Sequence, residues 1–277
     1  MDGYSKSDSG PEVTAQQDEA RKGASGTEQA IAAAFVAARR SASALDAYPG
    51  ALPEDLAAGY RIQDTAIALD GREVVGWKVG RIPPPRDIAL GADRLCGPIF
   101  ADEVVTQGAG SEPEMPVFAG GFAAAEAEFL LHVVPGWDGV VPTDDAATAA
   151  LIDAVHIGIE IASSPWARIN ADGPPVTVSD FGNNAGMIVG PAFADWQEID
   201  FSCVPVSLEI DGVVAGEGTT ATMLDGPLGA VRFLLANLVA RGQRTEKGLW
   251  VSSGAVTGVH EVRPGAQVRA RFAGWAR

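Results

Sequence analysis

Histidine, cysteine and basic side chains are all scarce in this 277-residue chain, and each shortage removes a class of function. The histidines are His132, His156 and His260, and the cysteines are Cys96 and Cys203. Two cysteines so far apart make neither a disulfide framework nor a CxxC-type metal spacing, which fits a reducing cytosol. The histidines fall into no nucleophile–base pattern. Lys and Arg total 20 against 36 Asp and Glu, a formal charge of −16. That sign argues against nucleic-acid binding as the main activity, because phosphate recognition needs basic clusters. No run of about 18 apolar residues is present to span a bilayer. The opening stretch MDGYSKSDSGPEVTAQQDEARKG lacks the apolar segment of a signal peptide. GxSxG, P-loop and dinucleotide fingerprints are missing as well. The expectation is a cytoplasmic protein that partners neither nucleic acid nor membrane.

What the chain does have is core material, at 47% hydrophobic residues. Residues 1–25 are polar and Gly/Ser-rich and read as a disordered tail. Residues 26–70 form a helical region: one helix from Glu28 to about Leu45 with Thr27 as N-cap, and a second starting at Pro53 and running through DLAAGYRIQDTAIAL. After Asp70-Gly71 the texture turns β-like over residues 71–277, in REVVGWKVG, GPIFADEVV and the EAEF run. A helix over about Asp144 to Val155 separates EAEF from HIGIEIAS, and another runs from Pro227 to Arg241 with Gly242 as its stop. Strands in VPVSLEIDGVVAGEGT, LWVSSGAV and AQVRARFAG follow, and Asp211-Gly212 marks a hairpin. The class is α+β, a helical N-terminal part leading into a strongly curved or closed sheet.

Within GFAAAEAEFLLHVV, strand alternation places Glu126 and Glu128 side by side on one face, with Ala125, Ala127 and Phe129 on the other. Like charges that close repel, and burying one unpaired costs several kcal/mol or drives protonation. Either a cation offsets this or the face is open to solvent. Glu160, in GIEIASS, is a third carboxylate in an apolar run, and three such groups with waters suit Mg²⁺ or Mn²⁺. Lys78, in VVGWKVG, shares a face with Gly76 and Gly80, which leave room for a ligand. It reads as a partner for a substrate carboxylate, an acid/base, or a snorkelling surface lysine. In DFGNNAGMIVG, Asn183 and Asn184 either serve the turn or offer amide donors to a substrate.

GWKVG, EAEF, GIEI and the Asp-led turn before MIVG occur in the order found in the 2-oxopent-4-enoate hydratase / 4-oxalocrotonate decarboxylase family of the fumarylacetoacetate hydrolase superfamily. The resemblance runs over about residues 30–277. It implies a fumarylacetoacetate-hydrolase-type, barrel-like mixed sheet as a catalytic domain over 71–277, and a homo-oligomer. It further implies Glu126, Glu128 and Glu160 as Mg²⁺ or Mn²⁺ ligands, and Lys78 and Asp180 as catalytic residues. The implied activity is hydration of a 2-hydroxy-2,4-dienoate to a 4-hydroxy-2-oxo acid in aromatic meta-cleavage catabolism. Decarboxylation of a 2-oxo-enedioate, or C–C hydrolysis or tautomerisation, is the alternative. The chain departs from the family pattern near the expected substrate tail. GRIPPPRD follows the lysine, Ala162-Ser163-Ser164-Pro165 follows the third Glu, and Asn183 and Asn184 stand where small or hydroxyl residues are usual. Arg81, Ser163, Asn183 and Asn184 are therefore the candidate substrate contacts, with Arg86 and Arg94 as further cations for a second carboxylate.

Overall fold

The computed structural model describes residues 24–198, 200–201, 203–243 and 247–273. The expected tail lies outside the described residues except for its last two, and Ser25 already belongs to a helix start. Helix α1 (Gly26–Arg40) is capped by Ser25, not Thr27: Ser25 Oγ accepts from Glu28 N at 3.2 Å, while Glu28 Oε2 accepts from Ser25 N at 2.6 Å. This reciprocal Ser-x-x-Glu arrangement satisfies two donors at once, which Thr27 has no partner to do. The helix stops at Arg40, short of the expected Leu45. Helix α2 (Leu56–Asp70) begins after Asp55, whose side chain accepts from Ala58 N at 2.7 Å, so Pro53 lies ahead of the cap. Ile31, Phe35, Ile62 and Ala66 of the two helices pack with Phe100 and Phe181.

The body holds β1 (Val74–Arg81), α3 (Arg86–Leu90), β2 (Arg94–Phe100), β3 (Val104–Thr106), β4 (Phe122–Val133), α4 (Asp145–Ala149), β5 (Ile152–Ser164), α5 (Pro174–Ser179) and β6 (Asn184–Ala192). After these come β7 (Pro205–Ile210), β8 (Val213–Thr219), α6 (Gly226–Ala240), β9 (Leu249–Ser252), β10 (His260–Glu261) and β11 (Val268–Phe272). The large sheet is mixed, in the order β2-β1-β9-β4-β5-β6-β3, with β10 paired to β4. Its two edge strands, β2 and β3, are joined by only the short turn Ala101–Glu103. The sheet must therefore curl until its edges nearly meet, giving the expected barrel-like half-turn. A second sheet, β11-β7-β8, packs against its outside. Asp211 and Gly212 form the β7–β8 tip with φ of 51° and 79°, as a two-residue hairpin with two left-handed positions requires.

Helix α4 is much shorter than the expected Asp144–Val155. Asp144 caps it, but from Ile152 the β-branched residues pair with β4 over the full length of that strand. Beyond Ala150, strand pairing and burial override the weak helical preference of the segment. Alternation then sorts the sheet's two faces. Ala127, Phe129, Leu131 and Val133 of β4, with Trp77 and Val79 of β1, bury against Leu234, Leu235 and Leu238 of α6 and Leu208 and Phe272 of the small sheet. Glu126, Glu128 and Lys78 are left on the opposite, concave face. No helix among the described residues is long and apolar enough to cross a membrane.

Candidate active site

Glu126 and Glu160 are register partners across the β4–β5 ladder, and Glu128 lies opposite Gly158. This pairing turns the EAEF alternation into a cluster: ligand-capable oxygens of Glu126, Glu128 and Glu160 lie within 4.8 Å of one another. All three residues are buried, at 4% exposure or less, so the solvent-facing alternative for this face does not hold. Across the sheet, Lys78 of β1 is in register with Ser252 of β9, the strand between β1 and β4. Ser252 Oγ donates to Glu128 Oε2, and Gly254 N donates to the same oxygen at 2.9 Å. Glu160 Oε1 accepts from Asn184 Nδ2 at 2.8 Å and pairs with Lys78 Nζ at 3.4 Å. Glu128 Oε1 and Glu160 Oε2 are buried without a hydrogen-bond partner.

Buried carboxylate oxygens are normally satisfied, and two orphans in one acidic cluster call for a missing positive partner. Three carboxylates and one ammonium cannot all ionise there at ordinary cost. Burial, with the charge of Glu160 added and Lys78 opposing, pushes the Glu126 carboxyl up to about 7. Burial and the neighbouring Glu160 and Glu126 raise Glu128 well above the usual carboxylate range. Burial alone would lower the Lys78 ammonium, but the charges of Glu160, Glu126 and Glu128 outweigh it and the net direction is upward. An all-oxygen donor set with unspent oxygens fits a small hard divalent cation better than zinc, which prefers His and Cys.

A turn over residues 180–183 brings the fourth side of the cluster. Phe181, Gly182 and Asn183 have φ of 54°, 63° and 58° in succession. The turn passes over β2 so closely that a Cβ on Gly97 would lie 1.9 Å from Phe181 O. Gly97 is the register partner of Lys78, so this contact delivers Asn183 Oδ1 to within 3.1 Å of Lys78 Nζ. Asn183 Nδ2 is held in turn by Asn170 Oδ1 at 3.0 Å. The two face glycines of β1 differ: a Cβ on Gly76 would meet Trp250 O at 2.6 Å, so that space belongs to the neighbouring strand, whereas one on Gly80 would lie 3.7 Å from Lys78 Nζ.

Lys78, Glu126, Glu128, Glu160, Asn183 and Asn184 thus form one connected cluster. The remaining sequence candidates sit elsewhere or are otherwise engaged. Asp180 is buried with its two carboxylate oxygens bound by Arg39, at 2.6 and 3.0 Å. Ser163 Oγ donates to Phe122 O at 2.7 Å and accepts from Phe118 N at 3.0 Å, which makes it a tie between backbone segments. Arg81 is exposed at the end of β1 and donates to Thr222 O at 3.3 Å. Arg94 pairs with Asp225, and Arg86 donates to Ala171 O at 3.3 Å. Sequence reasoning missed Ser252, Gly254, Asn170 and Arg39. LWVSSGAV reads as one strand, yet the strand ends at Ser252 and the Ser-Gly turn aims its donors at Glu128. Arg39 ends an Ala-rich helix, where an arginine is ordinarily solvated.

No family model matches the chain. Among curated relatives, a 4-oxalocrotonate decarboxylase of Pseudomonas putida is 30% identical over 126 residues, covering 45% of this chain and 47% of that one. Another from Pseudomonas sp is 26% identical over 202 residues, covering 72% and 75%. In the first of these, the chain spans about half the length of the relative it matches. Among solved structures, 4-oxalocrotonate decarboxylase from Pseudomonas putida G7, complexed with magnesium and adipate, superposes with a TM-score of 0.72 at 22% identity over 89% of this chain and 94% of that one. Fumarylpyruvate hydrolase from Pseudomonas aeruginosa, in complex with Mn²⁺ and pyruvate, gives 0.52 at 18% identity, over 72% and 85%. At these identities the structural likeness speaks for the fold.

Proposed function

From a chain with the fumarylacetoacetate-hydrolase-type fold and 4-oxalocrotonate decarboxylases among its relatives, we propose a divalent-metal-dependent enzyme that removes CO₂ from an unsaturated 2-oxo dicarboxylic acid. The observation that carries this reading is the buried Glu126–Glu128–Glu160 cage, with its two unspent oxygens and the Lys78 ammonium beside it. Mg²⁺ or Mn²⁺ held by the three glutamates would supply Lewis-acid stabilisation of the negative charge that develops on the substrate's 2-oxo group.

The chain's own residues do the rest. Ser252 and Gly254 fix one oxygen of Glu128, and Asn184 fixes one of Glu160, so the remaining oxygen of each stays free for the cage. Asn183 Oδ1 and Glu160 Oε1 hold Lys78 Nζ at the cluster's edge, where it orients the substrate carboxylate and carries a proton. When the bond to the departing carboxylate breaks, its electron pair spreads into the conjugated 2-oxo acid. Lys78 Nζ supplies the proton that completes the new C–H bond. None of the four charged side chains is more than 5% exposed, and so buried a setting suits loss of CO₂.

Hydration of a 2-hydroxy-2,4-dienoate is the second reading. GWKVG, EAEF and GIEI resemble the hydratase branch as much as the decarboxylase branch, and the same cage and ammonium serve both reactions. Incubating the chain, loaded with Mg²⁺ or Mn²⁺, with 4-oxalocrotonate and with 2-hydroxypenta-2,4-dienoate separates the two. CO₂ release from the first supports decarboxylation. Loss of dienoate absorbance without CO₂ turns the assignment to hydration, and no turnover of either rejects both.

A further inference from the structure

Arg39 lies on helix α1, over 120 residues from every strand residue it binds, yet its side chain is only 6% exposed. Nε and Nη2 grip the two carboxylate oxygens of Asp180 at 2.6 and 3.0 Å. Nη2 also reaches Asp180 O at 3.3 Å and Ser163 O at 3.2 Å, and Nη1 donates to Asn184 O at 2.9 Å. The guanidinium rests over the Phe181 ring, 5.0 Å from its centroid. One planar fork therefore ties together the end of β5, the start of β6 and the turn between α5 and β6. Those same segments carry Glu160, Asn184 and Asn183. Asn184 Nδ2 fixes Glu160, and Asn183 Oδ1 fixes Lys78.

We propose that Arg39 is a positioning residue for the acidic site: through Asp180 and the Asn184 carbonyl it sets both asparagines, and through them the orientation of Glu160 and Lys78. Asp180, on this view, acts through Arg39 and not on substrate. The inference rests on the reading of the cage as a metal site. A lysine could not replace Arg39, because a point charge cannot engage a carboxylate and three carbonyls of fixed direction together. The left-handed turn at Phe181–Asn183 has no regular ladder of its own to hold it, which is why an outside clamp matters there.

Removing Arg39 alone leaves Asp180 buried and unpaired, which risks unfolding. The test is therefore the double variant Arg39→Met/Asp180→Leu in the full chain, which removes both charges and keeps apolar volume. Thermal melting checks folding, Mn²⁺ titration reads the cage, and amide hydrogen exchange over Asn183–Met187 reads the turn. Expected is a folded protein that binds Mn²⁺ at least ~10-fold more weakly, the usual cost of losing a residue that orients a ligand, and exchanges faster over that segment. Arg39→Lys keeps Asp180 paired without the fork, and gives the same pair of readouts if the double variant does not fold. Wild-type Mn²⁺ affinity with wild-type exchange would overturn the inference. A wild-type chain that takes up no Mn²⁺ would instead remove the metal reading. Exchange alone then decides: faster exchange in the variant supports the clamp, and unchanged exchange refutes it.

Discussion

Glu126 and Glu128 are buried carboxyls raised by burial and by neighbouring carboxylates, and their protonation ties stability to pH. An unfolded-chain carboxyl titrates near 4.3, whereas Glu126 in the fold is pushed up to about 7. Such a group stabilises the fold fully below its unfolded value and loses that contribution as pH rises through about 7. Urea unfolding of metal-free protein should therefore show lower stability at pH 8 than at pH 5, with a smaller drop in Glu126→Gln; equal drops would contradict the assignment. Added Mn²⁺ should restore more stability at the higher pH, because the cation competes with protons for the same oxygens. Lys78 makes a separate prediction. Lys78→Met should cut turnover of the accepted substrate by roughly 10²–10⁴-fold, the usual weight of a general acid, while Mn²⁺ uptake persists. Loss of both together would make Lys78 structural. At this scale the glutamates and Lys78 were legible only as a set, through the order of GWKVG, EAEF and GIEI, because each alone also reads as a solvent-facing or snorkelling group. Asp180 was legible only as a motif member. Its partner Arg39 was not, since no local pattern distinguishes an inward-facing helix arginine from a solvated one.

Secondary-structure elements carry the site through two close approaches. The β4–β5 ladder sets Glu126 against Glu160, and the turn over residues 180–183 crosses β2 at Gly97 to reach Lys78. Gly97→Ala should destabilise by about 1–3 kcal/mol or more, as overpacking does, and should lower turnover by displacing Asn183. Gly26→Ala is the control: a Cβ at Gly26 meets nothing within 4 Å, so urea unfolding should barely change. Similar effects of both substitutions would show that the crossing is slack. The strands EAEF and GIEI and the Asp211-Gly212 hairpin were readable because their signals are local. The length of α4 was not, because its C-terminal half is claimed by pairing with β4. The end of β9 at Ser252 was also hidden, since the Ser-Gly turn that follows it exists to reach Glu128 on another strand.

For the whole molecule, curling of the large sheet gathers the charged face inward, while the chain as a whole carries a formal charge of −16. That field draws divalent cations and repels a dianionic substrate, and salt screens both effects. Raising ionic strength should weaken Mn²⁺ binding modestly and lower KM for the proposed dicarboxylate substrate; a KM that rises with salt would argue for a locally basic entrance instead. The most direct test of the central claim is a Mn²⁺ titration followed by electron paramagnetic resonance, on the wild-type chain and on Glu128→Gln. Expected is one tightly bound ion per wild-type chain and loss of that tight binding in the variant. Equal binding by both, or none by the wild type, would contradict a metal centre built from Glu126, Glu128 and Glu160.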